Sequence, residues 1–278
     1  MTKPPPAVVA AEALGLRFLV PSGDTVIARC LVEYGEFALP GIDLCAALMA
    51  KLAPGRMLDV GANLGTVCLP LAKRFPAWQF VAFEPQLPIF RLLAANCANN
   101  GLDNVVLLPW CAGEKGELID FPAPPLEGLN AGSVGRAFPS ESRVPVIMVA
   151  LDALNLADVR LLKIDVEGFD LEVLQGAPQL IAAHQPAILI EAKPGEKTRT
   201  ALSLLRRADY DLYWFFAPFV TAKNERGRKV NSDSLDGDIN ALALPAGMPN
   251  PWDMPKIGDV AENWLTRQSE FNYMNRYR

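Results

Sequence analysis

Histidine is nearly missing from this 278-residue chain, with His184 its only example. A Ser/His/Asp or Cys/His catalytic team therefore has a single candidate base. Cysteine is sparse as well. Cys30, Cys45, Cys68, Cys97 and Cys111 are an odd number at irregular spacings with no C-x-x-C pair, which excludes a zinc ribbon or dithiol redox motif and predicts reduced core thiols. No apolar run is long enough for a membrane span. The start, MTKPPPAVVA, places three prolines where a secretion signal would need an apolar stretch, so a cytoplasmic chain with no integral membrane segment is expected. Basic surplus is also lacking: the net charge is −5 and the Lys and Arg residues are scattered. Nucleic acid is therefore not expected as a partner.

What is present is an ordinary globular balance, 51% apolar and 21% charged. Residues 1–52 read as an N-terminal cap. Its strands LRFLV and TVIARC flank a Pro21-Ser22-Gly23-Asp24 turn, and a helix over 41–52 stops at Pro54-Gly55. Residues 53–245 read as the main domain. There strand MLDV, a helix over 64–74, strand QFVAF, a helix over 88–99 and strand NVVLLP alternate with short connections, the pattern of parallel strands with helical crossovers. A Gly/Pro-rich excursion over 113–143 follows, then VPVIMVA, RLLKIDV, a helix near 170–176, AILIEA, a helix near 197–207 and DLYWFF. A polar stretch precedes the last strand, INALALP, which is expected to insert antiparallel at the end of the sheet. The fold class is a doubly wound, Rossmann-like α/β sheet. Residues 246–278 form a Pro/Trp tail anchored by aromatics, packed on the domain or on a partner subunit; the hairpin or the tail would be the surface of a homodimer.

Met57-Leu58-Asp59-Val60-Gly61-Ala62-Asn63-Leu64-Gly65 runs from a strand through a glycine-spaced turn into a helix, where ligands of open α/β sheets bind. Gly61 permits the sharp turn and a close ligand approach, and Gly65 permits close helix packing. The first helical turn offers N–H groups to an anion. A dinucleotide site would want G-x-G-x-x-G, but Asn63 stands at the second glycine position. That departure favours S-adenosylmethionine, whose zwitterionic end wants N–H donors together with an acceptor such as Asp59. Glu84, ahead of Pro85 at the end of the next strand, sits about 20 residues past the glycine turn, as ribose recognition requires.

YGEF at 34–37, MLDVGANLG at 57–65, AFEP at 82–85, ANCANNGLDNV and LLKIDVEGFDLEVLQGA at 161–177 resemble the FkbM-type S-adenosylmethionine-dependent methyltransferases. The resemblance implies a seven-stranded sheet whose last strand is antiparallel. It also implies O-methylation of a hydroxyl on a small molecule, sugar, glycan or lipid-linked acceptor. The cofactor-site residues it brings together are Glu36, Asp59, Gly61, Asn63, Gly65, Glu84, Pro85 and Asp165, with Cys111 and Ala112 beside adenine.

In-line methyl transfer needs a held acceptor oxygen and a place for its proton. Asp165 at the end of LLKID is the expected general base, with Glu167 and Glu191 positioning the acceptor, while Asp170 caps the following helix. Lys163 is assigned no part. These strand-end acids would also suit Mg²⁺, but no third ligand is evident and Lys193 follows Glu191 closely, so a site without metal is expected. His184 serves a helix end rather than catalysis. Of Trp214, Phe215, Phe216 and Phe219, half should be core and half should wall the acceptor pocket. Two other readings are a nicotinamide-dependent oxidoreductase on the same fold and a methyltransferase-like module without chemistry; intact Asp59, Gly61, Glu84 and Asp165 count against the second.

Overall fold

The computed structural model describes residues 7–125, 128–230 and 236–278. Most of the polar stretch before the last strand, residues 231–235, and the first six residues lie outside them. In chain order the elements are β1 (Val8–Ala13), β2 (Leu16–Pro21), α1 (Ile27–Tyr34), α2 (Leu39–Met49), β3 (Arg56–Val60), α3 (Cys68–Arg74), β4 (Gln79–Phe83), α4 (Leu87–Asn99), β5 (Val105–Leu108), β6 (Cys111–Ala112), β7 (Glu117–Pro122), β8 (Arg143–Val149), β9 (Val159–Ile164), α5 (Asp170–Gln175), α6 (Pro178–His184), β10 (Ala187–Glu191), α7 (Glu196–Arg207), β11 (Tyr210–Pro218) and β12 (Gly237–Pro245).

Seven strands form the central sheet in the order β11-β12-β10-β9-β3-β4-β5. β10, β9, β3, β4 and β5 run parallel, and β12 is antiparallel to both its neighbours. The last strand therefore inserts between β10 and β11 rather than on the sheet's edge. The order of chain connection reverses between β3 and β9, which opens a crevice at their carboxyl ends. Near-continuous apolar runs such as Ala187–Glu191, buried along its whole length, fit a sheet covered on both faces.

The cap departs from the sequence expectation. β1 pairs with β2 across Leu14-Gly15, and the second expected strand, TVIARC, instead leads into α1. Asp24 explains the change: its Oδ1 accepts from the N–H groups of Val26 and Ala28, and its Oδ2 accepts from the Ala131 N–H. A residue read as a turn former thus starts a helix, because its carboxylate satisfies the first free N–H groups. Asn96 of α4 and Asn100 just past its end hold β2 by accepting from the Leu19 and Arg17 N–H groups at 2.6 and 3.0 Å. The helix expected over 64–74 begins only at Cys68, because the turn before it winds through left-handed Asn63 and Gly65.

VPVIMVA forms a strand outside the central sheet. It is β8, the centre of a second, three-stranded sheet β6-β8-β7 with its own small apolar cluster around Ile119, Phe121 and Met148. The tail packs on the domain along edge strand β11. Trp214 N–H donates to the Pro255 carbonyl and Ile257 N–H to the Leu212 carbonyl. Trp264 stacks on Phe216 at 5.7 Å and the Tyr273 hydroxyl bridges the Phe216 backbone. An edge of unpaired backbone groups is thereby covered. All five cysteines are buried and free, and burial pushes the Cys30, Cys45 and Cys111 thiols up to about 12. Among the described residues no helix is long and apolar enough to cross a membrane.

Candidate functional site

A cleft opens at the carboxyl ends of β3, β4 and β9. Its floor and walls include Gly61, Asn63, Glu84, Pro85, Trp110, Cys111, Lys163, Asp165 and Glu167. Asn130, Val134 and Arg136, from the loop between β7 and β8, close one side, so the Gly/Pro-rich excursion supplies a wall.

On the β4 side, Glu84 is buried and its two oxygens are spread by the backbone. The Asn63 N–H donates to Oε2 at 2.9 Å and the Gln86 N–H to Oε1 at 2.8 Å. Each oxygen keeps acceptor capacity for a ligand hydroxyl. Burial pushes the Glu84 carboxyl up to about 7, against the pull of those two N–H groups. Asn63 itself is left-handed, at φ 49°, and its Oδ1 accepts from the Leu64 N–H.

The glycine turn works differently from its sequence reading. A Cβ on Gly61, at φ +87°, would lie 1.9 Å from the Asp165 carbonyl oxygen, so the close approach that demands glycine is to the backbone just past the end of β9. A Cβ on Gly65 would meet Leu69 and Leu93, the close helix packing expected of it. The N–H groups of Gly61 and Ala62 go to the Phe83 carbonyl, that of Asn63 to Glu84, that of Leu64 to Asn63 and that of Gly65 to the Ala62 carbonyl. The turn thus offers no free donor from 61 to 65; the N–H groups left for a ligand lie just beyond it, at Thr66 and Val67 ahead of α3, both in the cleft lining.

Opposite Glu84 lies a wall of alternating charge. Asp59 pairs in register with Lys163 of β9. Buried at 1% exposure, Asp59 faces the Lys163 ammonium at 3.3 Å instead of lining the cleft. Lys163 also reaches Asp165 Oδ2 at 3.4 Å. Burial works against its charge, but the two carboxylates outweigh it and hold the ammonium protonated above its usual range. Lys163 and Asp165 are two residues apart and so share a strand face, which is the signal that could have drawn Lys163 into the site.

Asp165 and Glu167 line the cleft; Glu191 does not. Glu191 lies behind them in a small separate cavity with Lys193, whose ammonium reaches Glu191 at 2.8 Å and Glu167 at 2.7 Å. Burial, with Asp165 nearby, pushes Glu191 up, and burial likewise raises Glu167. Asp170 does not cap its helix. It sits in the first turn of α5 and accepts from the Val166 N–H at 3.3 Å, tying down the 166–168 turn, with burial raising it to about 6. His184 ends α6, away from the cleft.

Like Lys163, two acceptor-side cleft residues lie beyond the sequence reading. Asp238 and Asn240 stand at the start of β12. Attention to strand carboxyl ends misses them, yet an antiparallel strand brings its first residues to that same edge. Burial and the neighbouring Asp165 push Asp238 up. The aromatic run divides as its alternation suggests: Phe215 and Phe219 line the cleft, Phe219 stacks on Phe37 at 5.3 Å, Trp214 is buried and Phe216 turns to the tail. Ala112 is buried behind Cys111, and Glu36 is buried beneath the cleft rim, where it accepts from the Thr221 N–H. Neither Ala112 nor Glu36 faces the cleft.

No curated protein matches the sequence. Among solved structures, a methyltransferase FkbM from Methylobacillus flagellatus KT is 16% identical over 70% of this chain and 45% of its own, with a TM-score of 0.45. This chain thus spans less than half of that protein. A precorrin-6y C5,15-methyltransferase from Geobacter metallireducens GS-15 is 14% identical over 74% and 87% of the two chains (TM-score 0.45), and a putative O-methyltransferase from Klebsiella pneumoniae is 15% identical over 84% of each (TM-score 0.45). The family model for the methyltransferase FkbM domain matches residues 59–212, more than half of the chain, from the buried acid of β3 through the glycine turn, Glu84 and the charged wall. The chain belongs to the FkbM methyltransferase domain family.

Proposed function

We propose that this chain binds S-adenosylmethionine in the cleft and methylates a hydroxyl group on a small molecule, sugar or glycan. The observation that carries the reading is Glu84, whose two buried oxygens, each fixed by one backbone N–H, stand ready at the strand end beside a glycine turn. A vicinal diol matches them. A pyrophosphate would need to sit against the turn, where Asn63 replaces the second glycine of a dinucleotide motif and no donor from 61 to 65 is free. The nicotinamide reading is disfavoured on that ground.

When bound, the cofactor supplies an electrophilic methyl on a sulfonium. Glu84 would accept from the ribose hydroxyls, and Trp110 and Cys111 would wall the adenine. Pro85 and Asn63 fix the carboxylate's surroundings. Of the acids lining the cleft, Asp238 fits the proton-accepting role better than Asp165, whose Oδ2 is engaged by Lys163. Burial raises Asp238 toward the working range of a general base. Phe37, Phe219 and Phe215 offer apolar faces and Asn240 a polar contact, a lining suited to a hydroxylated ring.

The test is transfer of label from methyl-tritiated S-adenosylmethionine to a panel of sugars, glycans, phenols, amines and carbon acids. Label on a hydroxyl oxygen, lost in Asp238→Asn with S-adenosylhomocysteine binding intact, is expected. Label found only on nitrogen or carbon would overturn the hydroxyl reading.

A further inference from the structure

Asp165, Glu167 and Glu191 each present a carboxylate oxygen within 4.8 Å of the others. A single cation with oxygen ligands at about 2.1–2.5 Å could span that distance. The structure divides these acids between two lysines instead. Lys163 holds Asp165 together with Asp59, at 3.4 and 3.3 Å, and Lys193 holds Glu167 and Glu191, at 2.7 and 2.8 Å. We propose that the Lys193 ammonium, bridging Glu167 and Glu191 beside Asp165, takes the place of a divalent cation, excluding metal from the site and positioning Glu167 in the cleft wall.

The geometry of Glu167 supports this role. Its backbone is left-handed, at φ 53°, and its carbonyl lies so close to Gly135 that a Cβ there would meet it at 2.6 Å. Both restraints aim the side chain at one place, and the ammonium fixes its far end. Glu191 is 3% exposed in its side chain, against 53% for Lys193. The lysine thus reaches in from solvent to neutralise a carboxylate that the sheet has buried, and Lys193 is a positioning residue acting through Glu167. An ammonium offers one charge and three donors and has no coordination shell to complete, whereas Mg²⁺ needs a near-octahedral shell and gives up water reluctantly. The consequence for catalysis, transfer that survives chelation, rests on the methyltransferase reading. The metal exclusion does not.

The test is titration with Mn²⁺ alone, read by electron paramagnetic resonance on the full chain without cofactor or acceptor and repeated from about pH 7 to 9, because metal binding must displace the protons that burial favours on Glu167 and Glu191. Wild type is expected to bind weakly. K193A is expected to bind Mn²⁺ at least tenfold more tightly, K193A/E191Q to lose the gain, and K193R to behave as wild type. Thermal melts establish that K193A is folded, and K193M replaces it where it is not. Equal Mn²⁺ affinity in wild type and the folded variant, whether both weak or both tight, would overturn the proposal. Because no cofactor is present, that outcome is distinct from failure to bind S-adenosylmethionine.

Discussion

The two walls of the cleft are held by different forces. On the β4 side the geometry is set by backbone: Asn63 and Gln86 N–H groups spread the Glu84 carboxylate, and the glycine turn folds upon itself. On the β9 side it is set by charge, with Lys163 and Lys193 each gripping two carboxylates. A backbone-held site is prearranged and tolerates salt. A charge-held site depends on every partner, because removing one leaves a buried ion exposed to the full cost of desolvation.

That contrast is broken most severely by Lys163→Met. Asp59 would be left buried without its counter-charge, and a loss of about 3–5 kcal/mol is expected in urea unfolding. A loss below about 1 kcal/mol would mean that the charged wall is not held by this lysine. Gly61→Ala strikes the seam, since the added Cβ would collide with the Asp165 carbonyl at a φ that disfavours a side chain. Roughly 3 kcal/mol is expected from strain and overpacking together, seen as a lowered Tm.

Glu84→Gln tests the backbone-held wall alone. The fold should persist, while affinity for S-adenosylhomocysteine falls about 10- to 100-fold, the worth of hydrogen bonds to a charged group. The pH dependence has a definite sign. Burial raises Glu84 to about 7, so at lower pH the proton must leave before the carboxylate can accept both hydroxyls. Affinity should therefore climb as pH rises through 7 in wild type and stay flat in Glu84→Gln, measured by calorimetry across that range. Glu167→Gln is expected to have the smallest effect on stability, within about 1 kcal/mol, because its lysine partner is half exposed and water screens the pair.

The sequence was most readable where local pattern and tertiary role agree. The strand–turn–helix around Gly61 and the acid at 84 could be found because spacing alone fixes them, and the five-cysteine count pointed correctly to buried thiols. Reading failed where a long-range partner decided. TVIARC has β-branched residues, but Asp24 supplies the helix-starting acceptor and Ala131, over 100 residues away, fixes that carboxylate. Lys163 looked unremarkable because its pairing with Asp59 arises only when β9 crosses over to lie beside β3. Asp238 escaped although the last strand was expected to run antiparallel, because only strand carboxyl ends were taken as site positions, whereas β12 brings its first residues to that edge. Glu191 ends a strand at the correct edge, yet the intervening Glu167 turn screens it from the cleft.

The most direct test is calorimetric titration of wild type and Glu84→Gln with S-adenosylmethionine, S-adenosylhomocysteine and NADH. Micromolar binding of the sulfonium cofactor and its product, weakened in Glu84→Gln, with no heat from NADH, is the predicted result. Binding of NADH, or sulfonium binding indifferent to Glu84, would contradict the assignment of this cleft.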